Sequence, residues 1–276
     1  MTTADGPGRA NGWAAAVRER LGLGRLLPLG GPADGAWIAE RAAASVLRDS
    51  AGPGTVLGRL RIGAATAGAD PGPPAREDVG ADEGRERADG RPPAPPSALP
   101  AGPLRIEAEF AAAADRPLPT SAALLREALL EAASRRLGLD VAEVDLRVTG
   151  LLDGGRVPGT GEGAAGAPRP EVRAERDDGA VGLAAAAVPG VVSLTRVLGA
   201  PVTTSDDHVR VEVATAGGHR ALDVARAVRT AVTGALEDGP PVSVLVTAVV
   251  AAPTTEAAVV ETTVVKTTVV EAPEPR

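Results

Sequence analysis

Residues 104–110 alternate strictly: Leu104, Ile106, Ala108 and Phe110 share one side, and Arg105, Glu107 and Glu109 share the other. That period of two predicts a half-buried strand. Pro117 and Pro119 stop it, and Thr120 or Ser121 is placed to cap a helix over 120–137. Leu125, Ala128, Leu129, Ala132 and Leu137 form the expected buried stripe of that helix, and Gly138 closes it. Val144, Leu146 and Val148 then alternate with Asp145 and Arg147 in a second strand over 141–149. The same order returns later. Val209, Val211 and Val213 stand opposite Arg210 and Glu212, which are expected to face outward. Gly217-Gly218 turns into a helix over 221–236 with Leu222, Ala225, Val228 and Val232 along one face, and Val242, Val244 and Val246 close the unit. A strand–helix–strand unit that occurs twice at nearly equal spacing predicts an internal duplication. The expected fold class is α/β (α+β): two small modules, each a short sheet covered by one long helix.

The flanking segments fill out the plan. Residues 13–27 suit a short amphipathic helix with Trp13, Val17 and Leu21 on one face, weakened by Gly22 and Gly24 and ended by Pro28. A second helix is expected over 36–48, carrying Trp37, Ala44 and Leu47, and a strand over 56–62 with Leu60 and Ile62 inward. Residues 68–102 hold Pro, Gly and mixed charge without apolar periodicity, as a disordered insertion would. A short helix over 181–187 breaks at Pro189-Gly190 and an extended stretch over 191–198 follows. From residue 253 a five-residue unit recurs (Glu-Thr-Thr-Val-Val, then Lys-Thr-Thr-Val-Val), which matches neither the helical nor the strand period. A flexible tail is expected there, the sharper alternative being an extended segment that pairs with a partner's sheet edge. The resulting division is a flexible N-terminus over 1–30, module one over 36–152, a linker over 153–170, module two over 171–250 and a tail over 251–276.

Composition narrows the chemistry. Among 276 residues the only aromatics are Trp13, Trp37 and Phe110, so Val, Leu and Ala must carry the packing. The absence of cysteine excludes disulfides, thiol catalysis and thiolate metal sites. Two histidines, His208 and His219, are a thin supply for imidazole metal ligation. A formal charge of −7 argues against a general nucleic-acid partner, which requires a net basic face. No positively charged stretch leads into an apolar run at the start, so no secretory leader is expected, and no segment reaches the roughly 20 apolar residues of a membrane span.

Two short motifs point to a family. Ala187-Val188-Pro189-Gly190-Val191, followed by an alternating strand and a helix, resembles the alkaline shock protein family of bacterial envelope-stress proteins. The run 138–148, Gly-Leu-Asp-Val-Ala-Glu-Val-Asp-Leu-Arg-Val, is similar to that family's closing strand after a long helix. The likeness covers residues 36–62 with 104–152, and again 171–250. Module one has Gly52-Pro53-Gly54 where the Val-Pro-Gly turn would stand. The resemblance implies a non-enzymatic cytoplasmic adaptor of the envelope-stress response. Such a protein would act through a protein partner, membrane-anchored in the better-known members, or through self-association.

No catalytic, cofactor-binding or metal-binding residue is assigned. Gly159-Thr160-Gly161-Glu162-Gly163 lacks the strand before it and the Lys-Ser/Thr after it that a phosphate loop needs. Asp206-Asp207-His208 reads as a polar turn. Trp13, Val17, Leu21, Leu26 and Leu27 are the candidates for contact with a partner or a membrane surface, against the alternative that they pack on module one. Val188, Pro189, Gly190 and Val191 are the expected turn. The competing functional reading is a small-molecule or anion-binding domain that uses the cleft between modules or the helix start at Gly217–His219.

Overall fold

The structure is a computed structural model that describes residues 22–65, 92–95, 97–152, 174–205, 207–236 and 239–251. These residues form ten strands: β1 (Leu26–Pro28), β2 (Ala36–Ala39), β3 (Thr55–Ala64), β4 (Leu104–Ala113), β5 (Val141–Leu152), β6 (Ala174–Glu175), β7 (Val191–Thr195), β8 (Val202–Thr204), β9 (Val209–Ala216) and β10 (Val242–Val250). They also form four α-helices: α1 (Glu40–Asp49), α2 (Leu118–Glu131), α3 (Ala180–Ala186) and α4 (Ala221–Ala235). The mixed α+β class expected from the alternating pattern is the class observed.

The strands make two sheets. One has three strands in the order β3-β4-β5, with β3 antiparallel and β5 parallel to β4. The other has the order β1-β2-β10-β9-β7-β6, and β8 pairs with the part of β9 that β7 leaves open. In each, an antiparallel strand borders a central strand whose other neighbour is parallel and reached through a helix. The order α1-β3-β4-α2-β5 thus has the same pairing plan as α3-β7-β9-α4-β10.

The expectation of a helix over 36–48 is corrected at its start. Ala36–Ala39 is a fully buried strand, parallel to β10 on one side and antiparallel to β1 on the other, and the helix begins only at Glu40. Leu26–Pro28 likewise is a strand where a helix end was expected. Both choices depend on pairing: β10 lies at the far end of the sequence, so no local pattern announces it. The N-terminal strands therefore complete the sheet of module two, and α1 packs against β10 as well as β3. A single apolar core runs through both sheets.

Other boundaries shift for similar reasons. Residues 97–99, inside the stretch expected to be a disordered insertion, are tied to β1 through Leu26 N–H to Ser97 O and Leu99 N–H to Leu26 O. Helix α2 starts after Pro117 with no side-chain cap, and Ser121, expected as a cap, is buried on its core side. The helix runs on through a π turn, Ala132–Leu137, to Gly138 at φ 90°. A Cβ at Gly138 would lie 2.5 Å from the Cβ of Leu222, so the two units approach too closely there for any side chain. Strand β10 is buried on both faces from Val242 to Ala248, including Leu245 and Thr247, as a strand with parallel neighbours on both sides should be. Among the described residues no helix is long and apolar enough to cross a membrane.

Candidate functional site

The face of the three-stranded sheet away from its core is the candidate site. Alternation sends Leu104, Ile106, Ala108 and Phe110 of β4 inward, with Leu60 and Ile62 of β3 beside them. The intervening residues then line up by register. Arg61 stands beside Glu107 and Glu107 beside Asp145; Arg105 stands beside Glu143, and Glu109 beside Arg147. A shift of register between Leu57 and Leu60 places Gly58 against Glu109 and leaves Arg59 at the rim. Arg59, Arg61, Glu107, Glu109, Asp145 and Arg147 surround an open groove of about 320 Å³.

Charge is unevenly arranged across that face. Arg105 is ringed by three carboxylates: Glu107 at 3.6 Å, Glu143 at 3.6 Å and Asp145 at 2.5 Å. The last approach is close in distance but not aligned as a hydrogen bond from Nε. Among the described residues Arg59, Arg61 and Arg147 form no ion pair; Arg147 stands beside Glu109 with Arg59 at the rim, and Arg61 lies one row nearer the carboxylates, beside Glu107. One end of the groove is acidic and the other basic. Exposed pairs of this kind contribute little to stability, about 0–1 kcal/mol each. Their arrangement is suited to a polar surface of matching charge, through which partners are selected and oriented.

The residues singled out in the sequence fall elsewhere. Leu26 (3 % exposed) and Leu27 (0 %) are core side chains of β1, which removes them as contacts for a partner or membrane. Trp13, Val17 and Leu21 lie outside the described residues, as do Gly159–Gly163 and the repeated segment after residue 253. Val188, Pro189, Gly190 and Val191 form a turn between α3 and β7, closed by Val191 N–H to Val188 O at 3.1 Å. Gly190 sits at φ 92°, and a Cβ there would come 2.7 Å from Val224 and 2.9 Å from the ring of His219. His219 therefore lies against the turn. The helix start at Gly217–His219 has two of its amides already committed, Gly217 N–H to Val250 O and His219 N–H to Ala216 O. Asp207 and His208 close the β8–β9 hairpin, where Ser205 N–H bonds His208 O. Among the described residues no three His, Asp or Glu side chains are grouped to hold a metal ion.

Glu212 corrects the sequence reading most sharply. Expected on an outward face, it is fully buried. Its carboxylate accepts from Val197 N–H at 2.7 Å and from Leu198 N–H at 3.1 and 3.2 Å, with the Arg210 guanidinium 3.6 Å away. These bonds hold the loop between β7 and β8, which pair with successive parts of one edge of β9. The alternation of β9 identifies the face of Glu212 but cannot reveal that a loop folds over it.

No family model, curated protein or solved structure matches the chain.

Proposed function

We propose that the chain is a non-enzymatic adaptor of the alkaline shock type, which works through protein–protein contact at the inner face of the bacterial membrane. The observation that carries this reading is the two-signed face of the β3-β4-β5 sheet, which among the described residues is an open polar groove whose Arg59, Arg61 and Arg147 form no ion pair. The recurrence of the α-β-β-α-β pairing plan supports it, as does the Val188–Val191 turn on which the family resemblance rests. The partner has a surface of complementary charge, acidic where it meets Arg59, Arg61 and Arg147. It is anchored in the membrane, while this chain docks from the cytoplasm.

The test is a crosslinking pull-down from native cells with the full chain and with Arg59→Glu/Arg61→Glu. Enrichment of one membrane-anchored protein by the parent, reduced at least severalfold in the variant at equal folded yield, is the expected result. Equal recovery by both would overturn the assignment of this face. Removing residues 1–21, rather than 1–30, tests a contribution from Trp13, Val17 and Leu21 without cutting into β1.

A further inference from the structure

The two edges of the three-stranded sheet are treated differently. On β3 the edge is closed at Ile62, whose N–H donates to Glu40 Oε1 at 3.1 Å and whose carbonyl accepts from Arg25 Nη2 at 2.6 Å. Strand β5, Val141–Leu152, has no strand partner on its outer side among the described residues. Among the described residues the Val144 carbonyl there is met by a side chain, Arg126 Nε at 3.3 Å. Long open edges with apolar side chains are sites of strand addition. On β5 two such side chains are exposed, Val148 by 40 % and Leu151 by 46 %. Leu130, one helical turn from Arg126 and so on the same flank of α2, is exposed as well.

We propose that β5 pairs antiparallel with β5 of a second copy of this chain about a two-fold axis through Leu146, joining two three-stranded sheets into one continuous sheet. The sequence of the strand is self-complementary in that register. Leu146 meets Leu146 of the second copy, and Val144 meets Val148 on the apolar face in both directions. Asp145 meets Arg147 on the charged face, also in both directions. Directly opposed side chains lie about 4.5–5.5 Å apart at Cβ, near enough for each charge pair to form. Asp145 then lies between Arg105 of its own chain and Arg147 of the second. Arg126 must release the Val144 carbonyl, a cost confined to one exposed hydrogen bond. The chain's own segment 253–276 is a weaker occupant, since its five-residue period places charges on both faces in turn, without a match to Asp145 and Arg147. The inference shares Arg147 with the adaptor reading but has its own readout, since self-association of the purified chain requires no other protein.

Sedimentation equilibrium over a wide range of concentration tests it, with circular dichroism and melting to verify folding. The parent is expected to be a dimer. Asp145→Arg sets guanidiniums against each other at both ends, and Arg147→Asp does the same with carboxylates. Each alone should weaken self-association by roughly tenfold or more, since two symmetric pairs change sign at once. An equimolar mixture of the two variants restores opposite charges and should recover a heterodimer near parental affinity, a result that misfolding cannot produce. A parent that stays monomeric would overturn the proposal. So would single variants that associate as the parent does, a mixture that fails to associate, or a dimer that forms only after removal of 253–276.

Discussion

Asp34 and Arg226, 192 positions apart, form a two-point ion pair: Nε to Oδ1 at 2.8 Å and Nη2 to Oδ2 at 3.0 Å. Asp34 closes the loop between β1 and β2 and also accepts from Gly31 N–H at 2.8 Å, while Arg226 lies on α4. Arg229 of the same helix donates to the carbonyl of Ala33. Strands β1 and β2 are thus clamped to α4, in addition to being hydrogen-bonded into the sheet of β9 and β10.

This clamp has a pH signature. The hydrogen bond from Arg226 is the largest influence on Asp34 and holds its carboxyl below the ordinary carboxylate value; that bond in turn raises Arg226. A carboxyl with a lowered folded-state pKa adds stability above its unfolded value and loses it as pH falls through the folded one. Arg226→Gln should therefore cost about 0.5–1 kcal/mol at neutral pH, a figure limited by the half-exposed guanidinium. The difference from the parent should shrink steadily as pH drops below about 4. Urea denaturation across that range measures it; a gap that is unchanged in acid would show that the pair is not its source.

Glu212 predicts a larger effect without a change of shape. Glu212→Gln can keep one oxygen as acceptor for Val197 and Leu198 N–H, but the NH₂ that replaces the other oxygen opposes Leu198 N–H and the Arg210 guanidinium, and the negative charge that both favour is lost. A loss of about 1–3 kcal/mol is expected from denaturant titration. Amide exchange should accelerate first at Val197 and Leu198, and unaltered protection there would remove the explanation.

At the Val188–Val191 turn, Gly190→Ala meets both a left-handed backbone and occupied space. Strain and crowding together should cost about 1–3 kcal/mol. Coupling the change with Val224→Ala removes the nearer obstacle, so the pair should cost less than the sum of its parts. Strict additivity would mean that the contact with Val224 is not the limiting one.

The strand exchange at the N-terminus makes module two dependent on it. A fragment of residues 171–251 lacks β1 and β2 and leaves the edge of β10 open along Val244, Leu245 and Val246. It should be aggregated or unfolded by size exclusion and circular dichroism. Adding residues 22–49 at the front should restore a soluble fold. A well-folded, monomeric 171–251 would show that the unit is self-sufficient.

Local pattern determined those parts of the protein that local physics controls. Alternation over 104–110 located β4 and its inward face, the stripe through Leu125 and Leu129 located α2, and Pro189-Gly190 located the turn into β7, because side-chain direction follows directly from a period of two or 3.6. The outward set Arg105, Glu107, Glu109, Asp145 and Arg147 was legible for the same reason. Tertiary structure decided what lies next to what. Ala36–Ala39 became a strand because β10 offers it hydrogen bonds and a buried site, outweighing its local helical pattern. Glu212 was buried because the β7–β8 loop folds over it. The basic end of the groove exists because strand order brings Arg59 and Arg61 near Arg147, from segments separated by the whole of β4 and α2. A sequence specifies the direction of each side chain along its own strand; the neighbour it meets is set by chain segments tens to hundreds of residues away, whose pairing depends on the burial of the complete core.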